Sequence, residues 1–171
     1  MSLNIHQRHL LKSKDIKQLI QDLKTAYGTA IDDNVITAKS KVEWIKIDNN
    51  EELYAVEGIL AFWSKDGQYI PLLSYLMKKP IAIKNVKVDA GAIKFVSGGA
   101  DVMRPGITYI HPDIKTDDII LIQDSVHGRT LAVGKAMFDA AMMQTMDKGK
   151  VIKSIHSLKD PIWEFSKEFK P

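Results

Sequence analysis

A chain of 171 residues, 45% of them hydrophobic and with a formal net charge of only +3, is neither disordered nor fibrous and can form one large core or two small ones. It contains no cysteine, which excludes disulfides, thiolate metal sites and cysteine nucleophiles and fits a reducing compartment. It also lacks an apolar run of about 20 residues and the apolar core of a signal peptide, so we expect a cytoplasmic protein that does not bind a membrane.

The first half of the chain predicts one amphipathic helix and three strands. Residues 13–26 place apolar side chains along one helix face, with Ser13 as a candidate N-cap and Gly28 just past the end. Three runs rich in β-branched and aromatic residues predict a sheet on which this helix lies: Val42–Ile47, Leu53–Val56 and Ile59–Trp63.

Short turn sequences separate these strands and lead to a second helix. Glu57–Gly58 suits a two-residue hairpin, and Asp66–Gly67 suits another turn. Pro71 is placed to open a short helix whose apolar stripe includes Leu72 and Leu76. The first half therefore predicts a helix and a sheet followed by a second, shorter helix.

The segment Val86–Ile107, VKVDAGAIKFVSGGADVMRPGI, is the platform around which the second half is organised. Its pattern predicts a strand, a short helix, a glycine exit and a second strand that ends in a turn. Asp89 is the candidate N-cap, and Gly98 and Gly99 can end the helix because glycine takes the left-handed conformation. Residues 104–107 match a type II turn in which Gly106 supplies the positive φ. Amides at the helix start and the glycine turn suit an anionic ligand such as phosphate.

Downstream of the platform, short strands separated by turns predict a small barrel. The predicted elements are a strand Ile119–Ile122, a turn Ser125–Thr130, a strand Leu131–Phe138, a helix from Asp139 through Met146, and, after Gly149, a strand Val151–His156. The fold class predicted for the whole chain is an α+β N-terminal domain, residues 1–85, followed by a mostly-β domain, residues 86–171.

The platform resembles the opening of a PUA domain, the RNA-binding module named after pseudouridine synthase and archaeosine transglycosylase. The specific part is the G-A-D-V-x-x-P-G-I run of Gly99–Ile107, and the resemblance extends through Leu131–Phe138 and Lys153–Trp163, which is similar to the closing strands. The whole chain resembles the archaeal counterpart of the malignant T-cell-amplified-sequence translation re-initiation factors. That resemblance implies a pre-PUA domain at 1–85 and a PUA pseudo-barrel with short helices at 86–171.

The resemblance also places the platform helix, its glycines and the closing strand side by side as an RNA surface. Because the overall charge is nearly balanced, RNA affinity has to come from a local patch of cations. Arg104 is the strongest single candidate, since its guanidinium donates several fixed hydrogen bonds; its alternative role is a salt bridge, and each lysine could equally be ordinary solvated surface. The candidate RNA-binding residues are Lys94, Gly98, Gly99, Arg104, Gly106, Lys148, Lys150 and Lys153.

Aromatic side chains could stack on bases, but most of them are predicted to be core. Trp44 and Phe62 lie in apparent strands whose alternation buries one face. Trp63 is the one expected to be exposed, at a protein interface. Phe95 is predicted to pack under the platform helix together with Val96.

The sequence contains no converging catalytic or metal-binding set. His6 and His9 have the spacing of two ligands but no third ligand nearby, and the adjacent Asp117 and Asp118 would point to opposite faces of a strand. The platform glycines match neither a phosphate loop nor a dinucleotide fingerprint. We therefore expect no catalytic residue, no metal and no cofactor.

These expectations favour a non-catalytic RNA-binding protein, namely a translation initiation or re-initiation factor or another ribosome-associated factor that contacts rRNA or tRNA through its PUA domain. By the resemblance, the N-terminal half helps to dock a protein partner. In the eukaryotic family that partner is the density-regulated protein, which carries an initiation-factor-like domain. Two alternatives stay open: an accessory subunit of an RNA-modification system, and a protein-only adaptor whose PUA fold has lost RNA.

Overall fold

The computed structural model describes residues 2–171, which form two compact units. The first unit contains the residues up to Ala82 together with Phe165–Pro171, and the second contains Ile83–Glu164. No helix in the described part of the chain is long and apolar enough to cross a membrane. The assignment of functional domains to residues 1–85 and 86–171 stays a prediction.

The first unit is built on a five-stranded antiparallel sheet whose strands pair in chain order. Its elements are β1 (Ile5–Leu10), α1 (Ser13–Tyr27), β2 (Val42–Ile47), β3 (Glu52–Val56), β4 (Ile59–Lys65), β5 (Gln68–Pro71) and α2 (Leu73–Leu76). The three predicted strands are confirmed, and β2 agrees at both ends. Fully buried side chains such as Leu23, Ile45, Leu53 and Phe62 form the core of this unit.

Helix α1 buries one apolar face, as its spacing predicts. The predicted N-cap is wrong by one residue: Ser13 is the first helical residue, and Lys12 takes the cap position without a side-chain hydrogen bond. The Lys12 carbonyl starts the helix by accepting hydrogen bonds from the amides of Asp15 and Ile16. At the other end, Gly28 has a φ of 60°, which glycine adopts without a side-chain clash.

The hairpins β3–β4 and β4–β5 turn at Glu57–Gly58 and Asp66–Gly67, as predicted. All four residues have positive φ, between 51° and 82°, which is the type I′ geometry that matches the twist of paired strands. Pro71 does not open a helix; it is the last residue of β5, opposite Phe62. Because β5 is an edge strand, the missing N–H of proline is tolerated there.

The sequence does not predict strand β1, because its six residues are all exposed and lack an alternating apolar pattern. Backbone pairing with β2 forms this strand, with Arg8 opposite Ile45 and His9 opposite Trp44. The Arg8 guanidinium also donates to both carboxylate oxygens of Glu43, at 2.6 and 2.8 Å. Pairing and one bidentate ion pair therefore hold a strand that has no buried side chain.

The second unit is a six-stranded sheet that curves into a nearly closed barrel. Its elements are β6 (Asn85–Val88), α3 (Ile93–Ser97), β7 (Val102–Met103), β8 (Ile107–Ile110), β9 (Ile119–Asp124), β10 (Thr130–Ala136), α4 (Ala140–Thr145) and β11 (Lys150–Ser157). The strand order is β7-β11-β10-β9-β6-β8, with β6 and β9 parallel. The predicted fold class, α+β followed by a mostly-β pseudo-barrel with short helices, is confirmed.

The tail of the chain differs from the expected closing strands. Only its beginning is strand, because β11 ends at Ser157 and a further helix, α5 (Pro161–Glu168), follows. Asp160 caps this helix: its carboxylate accepts from the amide of Trp163 at 2.7 Å. The division between the two units falls within α5.

Strand β11 carries two of the candidate lysines, Lys150 and Lys153, and a glycine on β10 sets its position. A Cβ on Gly134 would lie 2.6 Å from Cγ2 of Ile152 and 2.9 Å from the carbonyl oxygen of Lys153. Such distances are too short for any side chain. Only glycine therefore allows β10 and β11 to approach this closely at the bulge between Val133 and Gly134.

Candidate nucleic-acid interface

The platform begins with a capped helix. The carboxylate of Asp89 accepts a hydrogen bond from the amide of Ala92 at 3.0 Å, which confirms the predicted N-cap. A 3₁₀ turn, Ala90–Ala92, then runs directly into α3. The amide of Asp89 donates to the carbonyl of Gly106 at 2.9 Å, so a backbone hydrogen bond joins the start of the helix to the turn at the end of the platform.

The platform glycines allow close packing as well as chain reversal. Gly99 has a φ of 98°, and a Cβ there would lie 3.2 Å from the hydroxyl of Ser157, so the exit of α3 packs against the end of β11. The type II turn predicted around Gly106 is wrong. Arg104–Gly106 forms a 3₁₀ turn, and Gly106 lies outside the left-handed region. A Cβ at Gly106 would lie 3.5 Å from that of Ala92, which is an ordinary contact, so the packing does not require glycine there.

Arg104 is partly buried and bonds to backbone carbonyls. Its Nε donates to the carbonyl of Met143 at 2.6 Å, and its Nη1 donates to the carbonyl of Ile107 at 3.2 Å. Its own amide donates to Gly149 at 2.8 Å. Arg104 thus connects the platform turn to α4 and to the loop before β11, and the salt bridge considered as its alternative role is replaced by these carbonyl contacts.

Asp101 reduces the charge of the lysine cluster on β11. Its carboxylate lies 2.9 Å from the ammonium of Lys150 and accepts a hydrogen bond from the amide of Ser154 at 2.7 Å. Partial burial raises the pKa of Asp101, but the contact with Lys150, the Ser154 amide and the nearby charge of Lys153 outweigh it and lower the pKa overall. Asp101 therefore stays ionised beside Lys150, whereas Lys153 is exposed and forms no ion pair with a described residue.

Strand β11 runs between the two ends of the candidate set. Lys150 lies at its start, opposite Met103 of β7, and Ser157 lies at its end, beside Gly99. Eight residues of extended chain span about 23 Å. The structure therefore brings Arg104 together with the Lys148–Lys150 segment at one end and Gly98 together with Gly99 at the other. A ligand that covers both ends must be longer than a single phosphate group.

Sequence reasoning placed Phe95 in the core, and this is wrong: the side chain is 66% exposed on α3, next to the exposed Lys94. The helical period explains the difference, because Ala92, Ile93 and Val96 share the face that packs on the barrel and Phe95 points away from it. The spacing of Ala92, Ile93 and Val96 in the sequence could have identified Phe95 as an exposed residue.

Lys159 is a second residue that sequence reasoning missed. Its ammonium lies 4.0 Å from the position that a Cβ of residue 98 would take, so it adds a cation beside the Gly98–Gly99 exit. The sequence gives little indication of this position, because Lys159 follows β11 in a turn and nothing in the sequence places that turn beside α3.

The prediction that Trp63 is exposed is also wrong. Trp63 is 6% exposed, its indole N–H donates to Glu51 at 2.8 Å, and the ammonium of Lys65 lies 4.8 Å from the ring centroid. Phe62 is fully buried, which confirms its assignment to the core.

Two histidines each contact a carboxylate. His6 contacts Asp48 at 2.8 Å in the first unit, and the buried His156 contacts Asp160 at 2.6 Å in the second. Within residues 2–171, no group of three His, Asp or Glu side chains is arranged to hold a metal ion.

Comparison with known proteins assigns both halves of the chain to known domain families. Residues 2–80 match the Pre-PUA-like domain and residues 84–158 match the PUA domain. The chain is 36% identical to a protein of Methanocaldococcus jannaschii, over 95% of this chain and 99% of that one. It is 35% identical to translation machinery-associated protein 20 of Saccharomyces cerevisiae, over 96% of each chain. It is 32% identical to malignant T-cell-amplified sequence 2 of Homo sapiens, over 75% of this chain and 74% of that one.

A solved structure agrees with these matches. The crystal structure of a hypothetical protein from Pyrococcus horikoshii superposes with a TM-score of 0.82 at 30% sequence identity, over 94% of this chain and 99% of that one.

Proposed function

Because this chain belongs to the family of pre-PUA and PUA proteins that includes translation machinery-associated protein 20 and the malignant T-cell-amplified sequence proteins, we propose that it is a non-catalytic, RNA-binding translation factor. The RNA-binding residues we assign are the candidate set on the platform and β11, with Phe95 and Lys159 added. The protein acts in the cytoplasm, where translation takes place.

The exposed ring of Phe95 is the observation that carries this proposal. An aromatic side chain that is 66% exposed, beside Lys94 and near the Gly98–Gly99 exit, can stack on an unpaired base while lysines contact the neighbouring phosphates. Such stacking tolerates any base, which fits a chain with only three arginines among its 24 basic residues. The site therefore suits unpaired RNA recognised through its backbone and stacking.

The RNA we propose is ribosomal RNA or the acceptor end of a tRNA, bound together with a ribosomal subunit during initiation or re-initiation. Loops and ends of these molecules expose unstacked bases, which proteins recognise more readily than the closed grooves of double-stranded RNA. We assign the docking of a protein partner with an initiation-factor-like domain to the first unit.

A pelleting assay with purified small subunits, large subunits and tRNA tests the proposal. We expect association with at least one of them, weakening as salt rises because phosphate contacts release counterions. The absence of salt-sensitive association with all three would contradict the proposal. If Lys153→Glu pellets like the wild type, the protein-only adaptor is favoured instead.

A further inference from the structure

The first unit contains a groove lined by α1 and by one face of its sheet. Its volume is about 320 Å³, at the lower end of the roughly 300–1,000 Å³ typical of small-ligand pockets. We call it the acidic aromatic groove and define it by three aromatic and three acidic residues: Trp44, Tyr54, Tyr69, Asp15, Asp22 and Glu52. Its size fits one side chain of a partner.

The aromatic residues form an apolar wall. Trp44 and Tyr54 lie opposite each other on β2 and β3, and the ring centroids of Tyr54 and Tyr69 are 5.8 Å apart. His9 of β1 extends this wall, with its ring 4.8 Å from that of Trp44. Trp44 is only partly buried, and among the described residues its indole N–H has no acceptor.

Two of the three carboxylates of the groove are held in place by neutral donors. The Tyr54 hydroxyl donates to Glu52 at 2.8 Å, and the amide group of Gln18 donates to Asp22 at 2.9 Å. Burial, and then the hydrogen bond to Glu52, raise the pKa of Tyr54, so its phenol stays protonated as a donor. These contacts orient the acids without cancelling their charge.

In the described part of the chain, no cation neutralises these acids. Within residues 2–171, Asp15, Asp22 and Glu52 form no ion pair, although Lys46 lies opposite Glu52 in the strand register. By contrast, the partly buried Glu43 of β2 and Asp48, which follows β2, each have a basic partner. The groove therefore combines negative charge with flat aromatic surface.

We propose that the acidic aromatic groove binds the side chain of an arginine from a basic segment of a protein partner. A guanidinium is planar, so it can stack on the indole of Trp44 while its fork of donors reaches the carboxylates. RNA is disfavoured as the occupant because its phosphates would be repelled by the acids. This inference rests on the proposed function only in its assignment of partner docking to the first unit.

The test is a titration of the full-length, ¹⁵N-labelled protein with N-acetyl-arginine methylamide, followed by nuclear magnetic resonance of the indole N–H groups. Trp44→Phe assigns the Trp44 signal among those of the three tryptophans. We expect arginine to shift the Trp44 signal saturably, and its uncharged isostere citrulline to leave it in place. Equal shifts with citrulline, or no shift of Trp44 at all, would overturn the proposal.

Variants separate the groove from general surface charge. Combining Asp22→Asn with Glu52→Gln should weaken arginine binding at least about tenfold, because hydrogen bonds to charged groups are lost. Asp66→Asn, which removes an exposed acid outside the groove, should bind arginine as the wild type does. Unshifted Trp63 and Trp163 signals show that the double variant is folded; if they move, Asp22→Asn alone replaces it. Undiminished arginine binding in the folded variant would overturn the proposal.

Pelleting of the same double variant with ribosomal subunits distinguishes the two proposals. The RNA-binding residues lie in the second unit, so we expect the groove variant to retain salt-sensitive pelleting. If the wild type pellets but does not bind arginine, only the groove proposal fails. If it binds arginine but does not pellet, only the RNA proposal fails.

Discussion

Charge at the proposed RNA-binding surface depends on single residues, and Asp101 is the clearest case. Its carboxylate lies 2.9 Å from the ammonium of Lys150 and is ionised because that contact lowers its pKa. Asparagine in its place can still accept the hydrogen bond from Ser154 while releasing Lys150. We expect Asp101→Asn to tighten RNA binding about fivefold at low salt, since one charge at about 4 Å in water is worth about 1 kcal/mol.

Fluorescence-detected titration of labelled RNA at several salt concentrations checks this prediction. The log of the binding constant should also fall more steeply with log salt, by about 0.7 for one added contact to a single strand. Asp113→Asn is the matched control, because it removes an exposed acid in the β8–β9 connection that forms no ion pair with a described residue. Equal tightening in both variants would show that Lys150 has no specific role.

Phe95 supplies a second prediction for a single residue. Phe95→Ala should weaken RNA binding by about 1–3 kcal/mol, the usual cost of losing one base–aromatic stack. Because the ring is 66% exposed, the free energy of unfolding in urea should change by no more than about 0.5 kcal/mol. Met77→Ala, an exposed apolar residue of the first unit, is the control for RNA binding. Unchanged RNA affinity in Phe95→Ala would show that the ring of Phe95 does not stack on a base.

The orientation and contacts of a side chain are harder to predict from the sequence than the residues that belong to the candidate site. The sequence identifies Arg104 as a residue rich in donors, but it cannot show that carbonyls of Met143 and Ile107 use two of those donors. Both contacts depend on α4 packing beside the platform, and the sequence gives no distance between those segments. Phe95 was misplaced for a different reason, because the one-residue offset from Val96 was read as part of the same apolar stripe.

At the scale of elements, the position of β11 depends on one glycine of β10. Gly134→Ala would place a Cβ 2.6 Å from Ile152 and 2.9 Å from the Lys153 carbonyl. Overpacking of this kind costs about 1–3 kcal/mol. We therefore expect the free energy of unfolding measured in urea to fall by that amount. Gly91→Ala meets only Asp89, at an ordinary 3.5 Å, and should leave stability unchanged or slightly raised. Equal stability of both variants would contradict this packing.

The loop between β9 and β10 is organised by the buried carboxylate of Asp124. The amide of His127 donates to it, and this contact, with the Arg129 guanidinium and the amides of Arg129 and Val126, holds the pKa of Asp124 at about 2 against the effect of burial. A carboxyl whose pKa is lowered on folding binds more protons in the unfolded chain. Its contribution to stability is therefore complete above pH 3.8, the unperturbed value, and is lost as the pH falls toward 2.

Asp124→Asn should accordingly be less stable than the wild type at pH 7, and the difference should shrink between pH 3.8 and about 2. Urea unfolding curves at a series of pH values measure this difference. Asp147→Asn, an exposed acid without an ion pair among the described residues, provides the comparison. A difference for Asp124→Asn that stays constant down to pH 2 would contradict the lowered pKa.

Elements with strong local signals were predicted, and those formed by tertiary contacts were not. Strand β2 agrees at both ends because β-branched and aromatic residues alternate between two turns. Strand β1 was not predicted, because all of its side chains are exposed and only pairing with β2 makes it a strand. The cap of α5 at Asp160 was overlooked because the preceding segment was assigned to closing strands.

At the scale of the whole molecule, we assign RNA binding to the second unit and partner docking to the first. The second unit carries the lysines, the platform glycines and Phe95, while the first carries the acidic aromatic groove. The PUA resemblance was what predicted that the Lys148–Lys153 segment lies beside the platform, because periodicity alone gives no distances between strands. The β7–β11 pairing between Met103 and Lys150 supplies that contact in the structure.

Ultraviolet crosslinking of the full-length protein to ribosomal subunits and tRNA, with identification of the crosslinked peptides, tests the central claim most directly. Phe95 is exposed, and aromatic rings that stack on bases are well placed to crosslink. We predict crosslinks in the α3 segment and in β11, and a reduced yield in Phe95→Ala. Crosslinks confined to the first unit, or none with any of these RNAs, would contradict the central claim.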